Sequence, residues 1–280
     1  MGGLFSHVFE IQIKETDIGM KREFSGTLSE FYDLVIQNRG RVVMITGAGI
    51  SSKSLPTFRS RDHSGLWDVL SAPILSKSQF YQNPLPSWRI AANVRNLQIR
   101  KVLEPSLAHK VIHQLVIDGY VSTILTQNCD SLHTFHDAFD SKIVELHGSI
   151  GDFGDCETCH AKKPVDTLMI LEKDESPRCP TCNSVLKPPV AFFEEKIPRS
   201  IREAAYSAMS NCDILVLVGT YCAVDPVLSL AEAAKRNGTI LVEINPETTQ
   251  GTAFMDISLR GTADSIFEEL ATMLYPGKEF

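Results

Sequence analysis

The chain has 280 residues, of which 43% are apolar and 22% charged, a composition typical of a globular protein with one large domain or two unequal ones. Its 27 Lys and Arg residues against 34 Asp and Glu residues give a formal net charge of -7, which opposes direct binding to nucleic acid. We find no apolar run near the roughly 18 residues of a membrane span and no signal peptide, so we expect an intracellular protein, cytoplasmic or nuclear. The seven cysteines are an odd number, which favours metal ligation and buried thiols over a disulfide framework.

The N-terminal extension, residues 1–25, carries one informative pattern. Its first six residues, MGGLFS, fit the signal for myristoylation of Gly2, and we expect membrane contact only if Gly2 is myristoylated. After the extension, a capping box at Thr27 and Glu30 predicts a helix that extends up to Gly40.

The first predicted strand, residues 41–46, is an apolar run that ends in Gly47, Ala48 and Gly49. Glycines after a first strand let the backbone approach a phosphate or a ribose closely. The complete G-x-G-x-x-G pattern is absent, and no acidic residue ends a second strand about twenty positions on, which disfavours an ordinary dehydrogenase.

A polar loop and a helical stretch follow the glycine turn. In the loop, Phe58 and Arg59 supply an aromatic ring that can shield a reactive centre and a guanidinium suited to a pyrophosphate. Residues 66–105 are rich in aromatic side chains and prolines, and we expect short helices that cover the site. The next predicted helix carries His109 and His113 four positions apart. That spacing could hold a metal, but no acidic partner lies nearby, which favours histidines of the core or the surface.

Polar side chains follow two predicted strands in the middle of the chain. Gln127, Asn128 and Asp130 come after the apolar run 120–125, and His147 follows the next short apolar run. Because groups beyond the carboxyl ends of parallel strands line the ligand crevice, these residues predict one binding site. The alternative is that Asn128 and Asp130 only form a turn and that His147 is a surface imidazole.

Two C-x-x-C pairs are the most specific local signal. Cys156 and Cys159 are followed, after nineteen residues, by Cys179 and Cys182. Four thiolates at this separation suit a tetrahedral zinc site, and a closed four-sulfur shell leaves no position for a substrate. The zinc is therefore expected to be structural, and a redox role is the competing interpretation.

The C-terminal part returns to alternating strands and helices. Val190 to Phe193 predicts a short strand, and two longer apolar runs predict parallel strands that end in Gly219 with Thr220 and in Asn245. The last helix is predicted from about Ala263 to Leu274.

This alternation predicts an α/β protein with a Rossmann-like parallel sheet domain and a smaller zinc-binding and helical lobe. We expect the sheet domain to comprise residues 26–65, 106–148 and 189–275. The helical cover, 66–105, and the zinc-binding module, 149–188, are expected to form the small lobe, with the binding site in the crevice between the two parts.

The chain resembles the sirtuin family over residues 26–274. Seven motifs carry the resemblance in register: GAGIS at 47–51, PTFRS at 56–60, TQNCDSLH at 126–133, ELHG at 145–148, the four cysteines, VGT at 218–220 and IN at 244–245. The resemblance implies an NAD-dependent protein-lysine deacylase that transfers the acyl group to ADP-ribose and releases nicotinamide. It also implies acylated protein lysines as substrates and NAD and zinc as the bound groups.

The resemblance further implies a role for each matching residue. His147 is the general base and Asn128 holds the nicotinamide ribose, while Gln127 contacts the ribose and Asp130 the nicotinamide carboxamide. Val190 and Phe192 match the strand that pairs with the substrate peptide. The other implied NAD-binding positions are Gly47, Ala48, Gly49, Thr57, Phe58, Arg59, Gly219, Thr220, Tyr221, Asn245 and Ala263.

The chain departs from the family pattern at five places. The loop before Phe58 is one glycine short, Thr57 stands where aspartate is commoner, and Cys129 replaces an isoleucine. Glu194 replaces the glycine of the FGE motif, and Tyr221 replaces the serine of GTS. Two further functions therefore stay open: an ADP-ribosyltransferase on the same fold, and a catalytically weakened protein that binds NAD or acyl-lysine.

The acyl preference is predicted from two positions. Relatives that prefer succinyl or malonyl lysine carry a tyrosine and an arginine where this chain has Ala91 and Val94. Without a guanidinium an acidic acyl group would be unpaired in an apolar pocket, which favours acetyl or longer apolar acyl groups. Arg95, one position further, is the residue that could supply the missing partner.

Overall fold

The computed structural model describes residues 26–55, 75–134 and 141–280 of the protein. Its strands are, in chain order, β1 (Val42–Thr46), β2 (Val121–Thr126), β3 (Ile143–Glu145), β4 (Phe153–Cys156), β5 (Ala161–Pro164), β6 (Ile214–Val218), β7 (Ile240–Ile244) and β8 (Ile257–Leu259). Six of them form one parallel sheet in the order β3-β2-β1-β6-β7-β8, and β4 pairs with β5 in an antiparallel hairpin.

The described helices alternate with the strands of the main sheet. They are α1 (Leu28–Gln37), α2 (Lys77–Gln82), α3 (Leu85–Ile99), α4 (Leu107–Ile117), α5 (Thr167–Lys173), α6 (Arg199–Met209), α7 (Val227–Arg236) and α8 (Ala263–Leu274). The capping box predicted at Thr27 and Glu30 is present at the start of α1. Within the ranges that the structure describes, no helix combines the length and apolar character needed to cross a membrane.

Helices cover both faces of the six-stranded sheet. Along β1, Val42 and Met44 face a core formed with α1, α4 and α8, while Val43 and Ile45 face a second core formed with α6 and α7. Since successive side chains of a strand point to opposite faces, a strand buried on both sides must be apolar throughout, as β1, β6 and β7 are almost completely. The predicted α/β class with a Rossmann-like parallel sheet is confirmed.

A third apolar cluster joins α2 and α3 to the cysteine-containing module. Phe80 and Trp88 from the helices pack with Ile170 of α5 and Leu186, and two of the cysteines belong to the same cluster. The indole Nε1 of Trp88 donates a hydrogen bond to the Leu186 carbonyl at 2.7 Å. The helices and the module therefore share one small core, beside the sheet.

One expected strand is absent from the described chain. Val190 to Phe193 does not form a regular strand, because only isolated bridges join Val190 to Gly148 and Phe193 to Ser76. The two ends of the segment are held by different neighbours. Its backbone therefore does not run alongside a single strand over enough residues to form a ladder of hydrogen bonds. It nevertheless lies next to the loop that carries His147, since Ala191 N donates to the His147 carbonyl at 2.7 Å.

Candidate active site

The strand order places the candidate site between β1 and β6. From β1 the chain proceeds outward through β2 and β3 in one direction, and β6 to β8 lie on the other side. In an open parallel sheet this reversal leaves a crevice at the carboxyl ends of the two central strands, where ligands bind. The predicted site residues after β1, β2, β3, β6 and β7 all follow the carboxyl ends of their strands.

The floor of this crevice is a direct contact between two backbone turns. Gly47 N donates to Val218 O at 3.0 Å, and Gly49 N donates to Gly219 O at 2.9 Å. A Cβ atom on Gly49 would lie 2.7 Å from the Cα of Gly219, and Gly219 itself has a φ of +58°. Only glycine allows the two backbone turns to lie this close together. Without side chains, the backbone of these turns is open to a dinucleotide, and the predicted role of the glycines is therefore sterically consistent with NAD.

A hydrogen-bond network holds the polar side chains after β2. Gln127 Nε2 donates to Thr220 Oγ1 at 2.7 Å, and Asn128 Nδ2 donates to Gly47 O at 3.2 Å and to Ser51 Oγ at 3.3 Å. Asn128 is buried, as is the Ser51 hydroxyl that receives its amide. The network joins the loops after β1, β2 and β6 into one polar wall.

Asp130 is the buried carboxylate of this wall. Ser51 Oγ donates to its Oδ2 at 2.7 Å and Leu132 N to its Oδ1 at 3.0 Å, yet burial still raises the pKa of Asp130 above its usual value. Gln98 of α3 fixes the same residue from the other side, donating to the Asp130 carbonyl at 2.6 Å. A partly desolvated carboxylate can accept a hydrogen bond from an amide, as the implied contact with a carboxamide requires.

His147 lies at the end of β3 with one ring nitrogen already engaged. Its Nδ1 is 3.0 Å from the Gln127 carbonyl, an acceptor, so Nδ1 carries the proton in the neutral ring and Nε2 keeps its lone pair. Burial lowers the pKa of His147 below 6.5, while the backbone groups of Gln127 and Asp225 act in the opposite direction. Gly148 has a φ of +77°, and a side chain there would collide with Pro189 O, so the turn after His147 requires glycine.

The other predicted cofactor positions surround the floor. Thr220 is buried and Tyr221 exposed, and Asn245 Nδ2 donates to the Thr220 carbonyl at 3.2 Å. Ala48 lies in the short 3-10 turn after β1, and Ala263 is the first residue of α8, with its side chain buried in the core. The predictions for Thr57, Phe58 and Arg59 lie outside the described residues.

Below the wall, three histidines from two parts of the chain pack together. The ring centroid of His133 is 4.6 Å from that of His109 and 5.7 Å from that of His113, and all three are buried. Thr46 Oγ1 donates to Thr126 Oγ1 and is 2.9 Å from His133 Nε2, so the ring must donate to Thr46. These are core histidines, as expected for His109 and His113, and they support the strand ends beneath Asn128.

The predicted substrate residues lie on the other side of His147. Val190 bridges to Gly148, and Phe192 is buried in the small core. Glu194, which occupies the place of the family glycine, keeps a left-handed backbone with a φ of +75°. Its carboxylate accepts hydrogen bonds from Ser78 N and Oγ, each at 3.0 Å, so it is tied to the first turn of α2.

The four predicted metal ligands come together. The Sγ atoms of Cys156 and Cys182 are 3.5 Å apart, those of Cys159 and Cys179 are 3.9 Å apart, and all four lie within 4.8 Å of one another. A tetrahedron with Zn–S bonds of about 2.3 Å has edges of about 3.8 Å, which these separations match. The donor set therefore fits a structural zinc ion, and among the described residues it is the one cluster of such ligands.

Comparison with known proteins agrees with this geometry. The model of the Sir2 family matches residues 47–226. An NAD-dependent protein deacylase of Thermococcus kodakarensis is 34% identical over 236 residues, covering 81% of this chain and 88% of the relative. The chain belongs to the Sir2 family.

Other sirtuins are similar in sequence or in structure. An NAD-dependent protein deacetylase of Pyrobaculum aerophilum is 32% identical over 83% of this chain and 89% of its own. A solved complex of Sir2 with a p53 peptide and NAD+ has a TM-score of 0.76 at 27% identity, covering 88% of this chain and 98% of that chain. A complex of a Sir2 homolog with NAD has a TM-score of 0.74 at 29% identity, with coverages of 88% and 93%.

Sequence reasoning missed two groups of residues in this sirtuin. Ser51 links Asn128 to Asp130, and its place inside the GAGIS motif is the signal that could have identified it. Lys187 and Glu195 form an almost buried ion pair beside the substrate residues, and the sequence gives no periodic signal for such a pair.

Proposed function

We propose that the protein removes acyl groups from protein lysine side chains in a reaction that consumes NAD. The single observation that carries this function is the meeting of three features at one sheet edge: the glycine floor, the wall of Asn128 and Asp130, and a histidine whose Nδ1 is held by a backbone carbonyl. The similar proteins described above carry deacylase or deacetylase names, which favours deacylation over ADP-ribosyl transfer.

Each part of the site has a distinct task in this reaction. When bound, NAD would supply a glycosidic bond that breaks with loss of nicotinamide, so that the acyl oxygen of the lysine can bond to the ribose carbon. Asn128 and Gln127 orient the ribose from one wall, and Asp130 accepts a hydrogen bond from the carboxamide. The Nε2 atom of His147 would take a proton from a ribose hydroxyl so that this oxygen can attack the acyl carbon. The lysine amine would then leave with a proton, and one water would complete the transfer of the acyl group to ADP-ribose.

The neutral ring of His147 is prepared for this proton transfer. The Gln127 carbonyl holds the proton on Nδ1, so the lone pair stays on Nε2. Burial keeps the pKa of His147 low, and the ring is therefore already in the base form at neutral pH.

The substrate is an acetyl-lysine or a lysine with a longer apolar acyl group. Ala91 is buried in the small apolar core, and Arg95 is already paired with Asp152 through two hydrogen bonds, one of them 2.8 Å from Nε to Oδ1. An acidic acyl group would have to compete with Asp152 for this guanidinium or remain unpaired, which is costly. Comparison of kcat/KM for acetyl-, myristoyl- and succinyl-lysine on one peptide tests this preference, and a preference for succinyl would refute it.

Mass spectrometry tests the function itself. An acetyl-lysine peptide incubated with NAD and the protein is expected to yield deacylated peptide, nicotinamide and acyl-ADP-ribose. His147→Ala is expected to abolish these products while calorimetry still detects NAD binding. Transfer of ADP-ribose to protein without deacylation would favour the ADP-ribosyltransferase, and deacylation by His147→Ala at the wild-type rate would show that another group is the base.

A further inference from the structure

The segment 190–195 is fastened at both ends by one ion pair. Lys187 Nζ lies 2.9 Å from Glu195 Oε2, and their side chains are only 9% and 12% exposed. Burying two charges is unfavourable unless both are well satisfied by neighbours. The additional contacts of this pair therefore indicate what it holds in place.

Both members of the pair bind the backbone between them. Lys187 Nζ donates to the Val190 carbonyl at 2.6 Å, and Glu195 Oε2 accepts the Phe192 amide at 2.8 Å. The same ammonium lies 4.6 Å from the ring centroid of Phe192. The pair thus fixes one carbonyl, one amide and one aromatic ring at the two predicted substrate positions.

The pair also connects this segment to the two neighbouring parts of the site. Lys187 exchanges backbone hydrogen bonds of 2.8 and 2.9 Å with Asp155, the residue before the first cysteine. At the other end, Ala191 N donates to the His147 carbonyl at 2.7 Å. A displacement of the segment would therefore also shift the backbone of the general base, His147, and of the metal-binding module.

We propose that Lys187 and Glu195 are positioning residues for the acyl-lysine peptide, acting through the backbone of residues 190–192. The proposal rests on the proposed function, because it takes this segment as the peptide-binding edge. It assigns to the pair an effect on peptide binding that is separate from NAD binding, since the hydrogen bonds and ion pairs described for the two side chains join them to each other, to the backbone of residues 190–192 and to Lys77.

Three substitutions test the pair. Lys187→Met removes the ammonium but keeps an apolar stem over Phe192, Glu195→Gln removes the negative charge but keeps an acceptor, and Lys187→Arg keeps the positive charge. The matched control is Lys235→Met, which breaks a different ion pair, between Lys235 Nζ and Asp256 Oδ1 at 2.5 Å, at the opposite end of the sheet. Steady-state kinetics give KM for peptide and for NAD separately, and metal analysis gives zinc per chain.

The expected result is a rise in peptide KM of about tenfold for Lys187→Met, with a change of less than about twofold in the KM for NAD. Lys187→Arg should restore most of the peptide affinity, and Lys235→Met should leave both constants unchanged. An unchanged peptide KM, or a parallel loss of NAD affinity, would overturn the proposal.

Two readouts separate this proposal from other failures. If Lys187→Met loses zinc or fails to fold, the peptide KM of Glu195→Gln tests the proposal instead, because this variant retains the acceptor for Phe192 N. If the wild-type protein does not deacylate, the proposed function fails, and anisotropy with a fluorescent acetyl-lysine peptide then decides on the pair. If wild type, Lys187→Met and Glu195→Gln bind the peptide with equal affinity in that measurement, the positioning role of the pair is refuted.

Discussion

The buried histidine cluster should make the protein less stable as the pH falls from 7 to 5. His109 is fully buried, and burial together with the neighbouring His113 lowers its pKa from 6.5 to about 3, while Asp264 opposes this shift. Burial also places the pKa of His133 well below its usual value. Both rings are therefore neutral in the folded protein and can be protonated readily only after unfolding.

The sign and size of the effect follow from proton linkage. Because the folded pKa of His109 is lowered, the unfolded chain binds more protons below pH 6.5, and the free energy of unfolding decreases as the pH falls. With pKa values of 6.5 unfolded and about 3 folded, His109 alone removes about 2 kcal/mol between pH 7 and pH 5.

Urea unfolding, followed by circular dichroism at pH 7 and at pH 5, measures this change in the free energy of unfolding. His109→Gln removes the titration and keeps a side chain that can complete the capping box with Ser106. The loss of stability on acidification should be smaller in this variant by about 2 kcal/mol than in wild type. His160→Gln, at an exposed position, controls for the loss of one histidine from the chain.

The wild type and His109→Gln share every carboxylate and the same metal site, so their difference isolates the buried ring. Equal losses of stability on acidification in both proteins would refute the reasoning. That result would mean that the His109 ring is protonated in the folded state, against the burial described above.

Three further outcomes are expected. Metal analysis of the wild-type protein should find about one zinc per chain. Cys179→Ala should lose zinc, and circular dichroism should show that it also loses cooperative folding, because three thiolates do not close the tetrahedral site. A folded, zinc-free variant would contradict this. Arg260→Met should lower the free energy of unfolding by about 2 kcal/mol, since the 2% exposed side chain of Glu243 loses its 2.7 Å partner but keeps the hydroxyl donors of Thr249 and Thr252, and a loss below about 0.5 kcal/mol would contradict it. The rate of deacylation should fall only below pH 6.5, because burial lowers the pKa of His147 and the neutral ring is the base; an acid limb at or above pH 6.5 would exclude that assignment.

Much of the sheet and the metal site could be predicted from the sequence. Strand β1 is apolar at nearly every position because both of its faces are buried, and the C-x-x-C pairs are specified by local spacing alone. The position of Asn128 and His147 beyond the strand ends also follows from order along the chain, since parallel strands end at the same edge.

Other features depend on contacts that no local pattern encodes. The segment from Val190 was expected to be a strand because it is apolar, but its hydrogen bonds go to separate partners, including Lys187 and Glu195. Glu194 replaces a family glycine beside the peptide segment, and its carboxylate is bound at the start of α2. Both outcomes depend on which distant residue lies opposite, and that is decided by tertiary packing.

The contact between Gly49 and Gly219 limits how this crevice can change. Its surface is main chain on main chain, with no side chain whose replacement could widen or narrow it. We therefore expect changes in cofactor preference to come from side chains around this contact, among them the rim positions Tyr221, which is exposed, and Asn245, which follows β7. A library intended to change the dinucleotide should randomise these two rim positions and leave the glycines untouched.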